Sequence, residues 1–183
     1  GLFYGKIKQA IQLMKVKIEQ LKDLQKETIR RINKMKKEFS KEPIIKLFKN
    51  EMNYDQIIAQ VGIPFTALCE HHKIAFFGEA HIAFIPNKWL TGLSKFGRIV
   101  EYYLNPVIET TQEKATHLII KTLTETLDPK GVMVILKAKH NCICFRGIKK
   151  PSWTITSAIN GSFKDNSSTK QEFLELIKLG NYE

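Results

Sequence analysis

Four residues in a row, Cys69, Glu70, His71 and His72, carry groups that bind metals or move protons. A second cluster follows far downstream, as His140, Asn141, Cys142, Ile143, Cys144, Phe145 and Arg146. A thiolate and an imidazole three residues apart can reach one Zn²⁺, and a single distant thiolate would complete three protein ligands. A fourth position then stays open to water, which marks a catalytic rather than a structural zinc. No second close Cys pair precedes a His pair, so the closed four-ligand pattern is missing. Read by spacing alone, the cysteines suit core filling as well as metal ligation. If residues 140–146 continue a strand, His140, Cys142, Cys144 and Arg146 share one face, with Cys144 filling core beside the site.

These clusters need elements to bring them together. Positions 7, 11, 14, 18, 21, 25, 28, 32, 35 and 39 step alternately by four and three, and all but Gln25 and Thr28 are apolar. That spacing predicts a long amphipathic helix ended by Pro43. Strands are expected at 57–61, 74–77 and 81–85, with Gly78 and Pro86 as breaks. Ser94 is a candidate N-cap for a helix to about Leu104, and Thr110 or Thr111 for another to Leu127, stopped by Asp128-Pro129-Lys130-Gly131. A long strand over 132–146, a neighbour over 153–159 and a terminal helix over 169–179 complete the chain. The expected class is α+β, with two helices on one face of an antiparallel sheet plus N-terminal and C-terminal helices. The domain expectation is a basic helical region over residues 1–50 and a catalytic domain over 51–183.

Of the chain's net charge of +11, residues 1–50 hold +9, so the remaining body is nearly balanced. The basic segment has few aromatic residues to stack on bases, so nucleic acid is not the expected partner. No apolar run approaches the roughly 18 residues of a membrane span, and no membrane partner is expected. Without a charged-then-apolar leader, the expected location is cytoplasmic. Three cysteines, an odd number, do not make a disulfide framework.

Together the segments CEHH, GLSKFGRIVEYY, QEKAT, LDPKGV, HNCICFRG and TSAINGSF resemble the GTP cyclohydrolase I family in order and separation. The match extends upstream to Glu27, Thr28, Arg30, Arg31, Lys34 and Met35. The resemblance implies the tunnelling fold, a homodecamer of two pentamers with sites at subunit junctions, and Zn²⁺ held by Cys69, His72 and Cys142. It implies hydrolysis of GTP at C8 by metal-activated water, giving 7,8-dihydroneopterin triphosphate and formate on the way to folate or tetrahydropterin. His71 matches the acid that protonates N7, while His140 and Ser94 match residues assisting ribose opening and the Amadori rearrangement. Glu70, Gln112 and Glu113 fall at substrate-binding positions, the last two as the purine-recognition pair. Lys95, Arg98, Arg146 and Arg31 match the basic residues around the triphosphate.

Several positions depart from the family pattern. Ile29 replaces a Pro, Lys73 and Ala75 follow CEHH in place of an apolar residue and a Pro, and Lys114 replaces an Arg. Two extra residues lengthen the loop near Asn105 and Pro106. Rival readings are a nucleic-acid-binding protein with a structural zinc and a related tunnelling-fold enzyme acting on a pterin or deazapurine.

Overall fold

The structure, a computed structural model, describes the backbone of residues 2–180 and the side chains of residues 11–180. The chain divides into two compact units, residues 1–40 and 41–183. The first is one helix, α1 (Leu2–Phe39). Along it Ile11, Met14, Ile18, Leu21 and Ile32 are exposed, while Ile7 of the same stripe lies outside the described side chains.

The second unit is built on a five-stranded sheet. In chain order its elements are β1 (Leu47–Lys49), β2 (Ile58–Cys69), β3 (Ala75–Ile85), β4 (Trp89–Thr91), α2 (Ser94–Tyr103), β5 (Glu109–Thr110) and α3 (Gln112–Leu127). Then follow β6 (Gly131–His140), α4 (Asn141–Cys144), β7 (Trp153–Gly161), α5 (Ser162–Asp165) and α6 (Ser167–Leu179). The sheet order is β5-β2-β3-β6-β7, antiparallel throughout except for the short parallel β2–β5 pair, while β1 and β4 form a separate antiparallel ribbon. The α+β class, the two helices on one face and the terminal helices all match expectation.

Alternation along β6 divides the core. Val132, Val134, Leu136 and Ala138 face α2 and α3, whereas Met133 and Ile135 face Phe163 and Phe173 of α5 and α6. On α3, Ile119, Leu123 and Leu127 are fully buried, each contributing about 1.5–3 kcal/mol. Thr111 caps this helix by accepting from Lys114 N at 3.2 Å, and left-handed Asp128 ends it.

Three expectations are corrected. Gly78 does not break the sheet; β3 runs straight through it, because β6 approaches so closely that a Cβ there would lie 1.9 Å from the Lys137 carbonyl oxygen. Ser94 does not cap α2: Leu93 already has helical dihedrals and no side chain caps the helix, so Ser94 is its first residue. The long strand ends at His140, since its partner β3 begins at Ala75 and the ladder runs out at the Phe76–His140 pair. A helical turn follows, closed by Phe145 N donating to Asn141 O at 3.1 Å. The shared strand face for His140, Cys142, Cys144 and Arg146 therefore does not exist. Cys144 is only half-buried on that turn and joins neither core cluster.

The lengthened loop near Asn105 has its own organiser. Asn105 is buried, its Nδ2 donating to Glu101 O and Tyr102 O while Oδ1 accepts from Val107 N and Ile108 N. Both polar groups of its side chain are satisfied, by the last turn of α2 and by the loop itself, so the side chain ties the longer connection to the helix end.

Candidate active site

The end of β2 sets the first half of the site. Cys69 is the last strand residue, and the chain turns at once, with Cys69 N donating to Ile74 O at 3.0 Å and Lys73 N to Cys69 O at 2.9 Å. The parallel pairing of Cys69 with Thr110 ties this turn to the segment entering α3, as does Glu70 N donating to Thr110 O at 3.1 Å. The second half comes from the end of β6, where the helical turn carries Cys142 toward the first.

The ligand atoms of Cys69, His72 and Cys142 lie within 4.8 Å of one another, and Cys69 Sγ is 3.7 Å from His72 Nδ1. Zn–S bonds of about 2.3 Å and Zn–N bonds of about 2.0–2.1 Å in a tetrahedron require edges of roughly 3.5–3.8 Å, which the Cys69–His72 pair meets. The donor types suit zinc, and the remaining separations, within 4.8 Å, would shorten around the ion. Cys69 is buried, Cys142 half-buried and His72 exposed, which leaves one side open to solvent. Desolvation, followed by the neighbouring Cys69, pushes the Cys142 thiol up from its ordinary value. A divalent cation reverses that logic, because a coordinating thiol is deprotonated outright.

A cleft of about 250 Å³ opens beside these three residues, lined also by His71, Gln112, Glu113 and His140. His71 is exposed, and Glu113 is the acidic residue in the first turn of α3. His140 stacks on Phe76, with ring centroids 4.5 Å apart and planes inclined by 6°. Burial lowers its pKa, against an opposing pull from Glu113. Gln112 turns inward, 1% exposed, and bonds to His140 and to β6 and β7.

The family model described as GTP cyclohydrolase I matches residues 6–178. The chain belongs to that family. GTP cyclohydrolase 1 of Hydrogenobaculum is 43% identical over 157 residues, covering 84% of this chain and 85% of that protein. The Aquifex aeolicus protein of the same name is 40% identical over 179 residues, covering 94% and 96%. The apo structure of archaeosine synthase QueF-Like overlays with a TM-score of 0.45 at 14% identity, covering 56% of this chain and 93% of that one.

The other residues expected from the GTP cyclohydrolase I resemblance lie outside the cleft lining. Ser94, Lys95 and Arg98 stand on the first turns of α2, and Arg146 is exposed after the helical turn. Glu70 faces Lys114, with 3.8 Å between carboxylate and amine. Arg31 belongs to α1, where its Nε donates to Glu27 at 2.8 Å; with Arg30, it holds the Glu27 carboxyl down at about 2. Sequence reasoning missed Thr110, Thr111, Ile143 and Thr154, which line the cleft without charge or metal affinity to signal them. No helix among the described residues is long and apolar enough to cross a membrane.

Proposed function

We propose that this chain, an enzyme of the GTP cyclohydrolase I family, is zinc-dependent and converts GTP and water to 7,8-dihydroneopterin triphosphate and formate. The observation that carries the reading is the convergence of Cys69, His72 and Cys142 beside a cleft lined by His71, Glu113 and His140. Three protein donors leave one coordination position for solvent or substrate. When bound, Zn²⁺ supplies the Lewis acidity that makes water reactive toward C8 at neutral pH.

The chain's own residues do the remaining work. His71 donates a proton to N7, which makes C8 more electrophilic toward water. The C8–N9 bond then breaks to open the ring, and hydrolysis of the formamide left on N7 breaks the second C8–N bond and releases formate. Glu113 accepts two hydrogen bonds from the N–H groups of the guanine edge, which adenine does not present in that pattern. Sites built on such pairing reject the mismatched analogue by about 10⁴–10⁵. His140 and Ser94 assist ribose opening and the rearrangement that closes the new ring. Lys95 and Arg98 stand one helical turn apart on α2 and, with Arg146 and Arg31, bind the triphosphate through charge-assisted hydrogen bonds. Glu70 buttresses the metal turn through Lys114, and from there it borders the substrate.

A homodecamer of two pentamers, cytoplasmic and free of nucleic acid, belongs to the same reading. It accounts for basic residues that do not line the cleft of a single chain, since neighbours would share each site. The pathway served is folate or tetrahydropterin synthesis.

The test is direct. The zinc-loaded protein incubated with GTP, then oxidised, is expected to develop neopterin fluorescence and release formate in equal amounts. A chelator should abolish both, and so should Cys142→Ala. Absence of product from the metal-loaded native chain defeats the proposal. Salt-sensitive binding of RNA or DNA without turnover would favour the nucleic-acid reading instead.

A further inference from the structure

Gln112, the first residue of α3, holds its amide among four partners. Its Nε2 lies 3.0 Å from Leu136 O, 3.1 Å from Thr154 O and 3.2 Å from Thr156 Oγ1. Two of these are backbone carbonyls, which only accept hydrogen bonds, so the amide nitrogen rather than the oxygen must face them. That settles an orientation which the outline of an amide group leaves open. Oε1 therefore points at His140, 2.8 Å from its Nε2. An amide oxygen cannot donate, so His140 Nε2 must carry the hydrogen. In the neutral ring the proton-free nitrogen is then Nδ1, which has no hydrogen-bond partner among the described residues.

Phe76 completes the clamp. It is fully buried, sits opposite His140 in the β3–β6 ladder and lies parallel to the imidazole, so the ring cannot tilt away from Gln112. Thr116 braces the assembly from the next turn, its Oγ1 donating to Gln112 O at 2.7 Å and lying 2.7 Å from Thr156 Oγ1.

We propose that Gln112 is a positioning residue that locks His140 in the Nε2–H tautomer, so that Nδ1 accepts a hydrogen bond from a hydroxyl of the ligand in the cleft. The identity of that ligand, a nucleoside triphosphate offering its ribose hydroxyls, rests on the function proposed above; the tautomer does not. With its N–H groups held by β6 and β7, the Gln112 side chain has none to offer a purine. Recognition of the base then falls to Glu113.

Histidine-selective ¹⁵N labelling of the zinc-loaded protein reads the ring protons without substrate, the His140 signals being assigned by their loss in His140→Asn. The expected spectrum shows His140 protonated at Nε2 and bare at Nδ1. Gln112→Met, which keeps the bulk of the side chain but removes its polar atoms, is expected to give a mixture of both tautomers. It should lower kcat by about 10- to 100-fold, as loss of an orienting partner does. KM for GTP should change less than about threefold, because Gln112 itself touches no ligand and an even mixture of tautomers reduces the binding-competent fraction only about twofold. Native protein with the proton on Nδ1 overturns the proposal, whether or not the Met variant folds. So does a Gln112→Met enzyme with unchanged kcat and a KM raised tenfold, the signature of a purine contact. A native chain that shows the expected tautomer but never turns over GTP sinks the proposed function alone.

Discussion

The two faces of the sheet each carry a histidine within a polar cluster, and the clusters behave differently. On the face covered by α2 and α3, His140 borders an open cleft, with three side chains nearby that could hold a metal ion. On the opposite face His81 is 1% exposed and sits at a bulge where the β2–β3 register shifts between Gln60 and Ile63. There its Nδ1 accepts from Gly62 N at 3.1 Å, a bond that the positive φ of 70° at Gly62 makes possible. Glu79 lies 3.7 Å from His81 Nε2 and 3.0 Å from the Lys137 amine. One histidine keeps a nitrogen free beside a cavity; the other has its acceptor nitrogen taken by Gly62 N and its second ring nitrogen turned toward the Glu79–Lys137 pair. Residue type is the same; the number of unclaimed lone pairs next to open space separates a chemical group from a structural one.

The largest effect that tests this contrast comes from removing one of the three side chains proposed to hold the metal. Cys142→Ala is expected to reduce GTP turnover by well over 100-fold, beyond the roughly 10- to 100-fold typical of residues that only support ligands. Zinc affinity measured by chelator competition should fall with it, while thermal stability of the metal-free protein stays near native, because Cys142 is only partly buried. Unchanged zinc affinity in this variant would remove the centre from the cleft.

His81→Leu should do the reverse. It removes the acceptor of the Gly62 N–H, and since Gly62 is exposed, water can take that place. The cost is that of one ordinary hydrogen bond, about 0.5–1.5 kcal/mol, read as a lower urea midpoint with turnover per folded molecule preserved. The same residue shapes acid stability. Burial lowers the His81 pKa, Lys137 adds to the lowering and Glu79 opposes it. Above the ordinary value of 6.5 both folded and unfolded states are neutral there, and no stability is lost. Below it the unfolded chain takes up the proton first, so stability declines as pH falls toward the lowered folded value. His81→Gln, which retains an acceptor for Gly62, is expected to flatten this decline without abolishing it, since His140 has a shift of the same sign. Identical pH slopes for native protein and His81→Gln would show that the buried imidazole is not the group titrating.

Thr111→Ala tests the joint that serves the catalytic face. Losing the cap to Lys114 N is expected to cost about 1 kcal/mol, seen in denaturation. It should also lower turnover several-fold, because the first turn of α3 carries both Gln112 and Glu113. A stability loss with no change in turnover would mean that the β2–β5 pairing, rather than the cap, fixes that turn.

How much of this was legible in sequence follows from the range of the interactions involved. The caps and stops of α3 are local, so the cap could be narrowed to Thr110 or Thr111 and the stop to the run that begins at Asp128; the structure selects Thr111 and Asp128. The resemblance named Cys69, His72 and Cys142 together and the fold does bring them together, but the way Cys142 reaches the other two was not legible. That route depends on where β3 stops supplying partners to β6, which is a pairing between distant segments. Gly78 misled for a related reason: glycine reads as a break unless the neighbouring backbone's approach is known. Gln112 is the sharpest case. The resemblance placed it in the purine-recognition pair, and only the four partners around its amide, supplied by β6 and β7, support the orienting role proposed for it.

The smallest effects are expected at the two lysines that depart from the family pattern. Lys73 pairs with Glu109 and Lys114 with Glu70, so the two pairs cross between the metal turn and the segment leading into α3. All four side chains are about half-exposed, and such pairs contribute roughly 0.2–1 kcal/mol, less as salt rises. Lys73→Ala should therefore lower zinc affinity only about twofold at low salt, and less at high salt. Backbone conformation adds a separable part. Lys73 has φ of 54°, a left-handed state that costs a residue with a Cβ about 1–2 kcal/mol and glycine almost nothing. Lys73→Gly loses the same ion pair but relieves that cost, so it should be more stable than Lys73→Ala by about 1 kcal/mol. If the alanine and glycine variants are equally stable and both lose tenfold in zinc affinity at high salt, the lysine acts through neither charge nor backbone, and the turn is held by the Thr110 pairing alone.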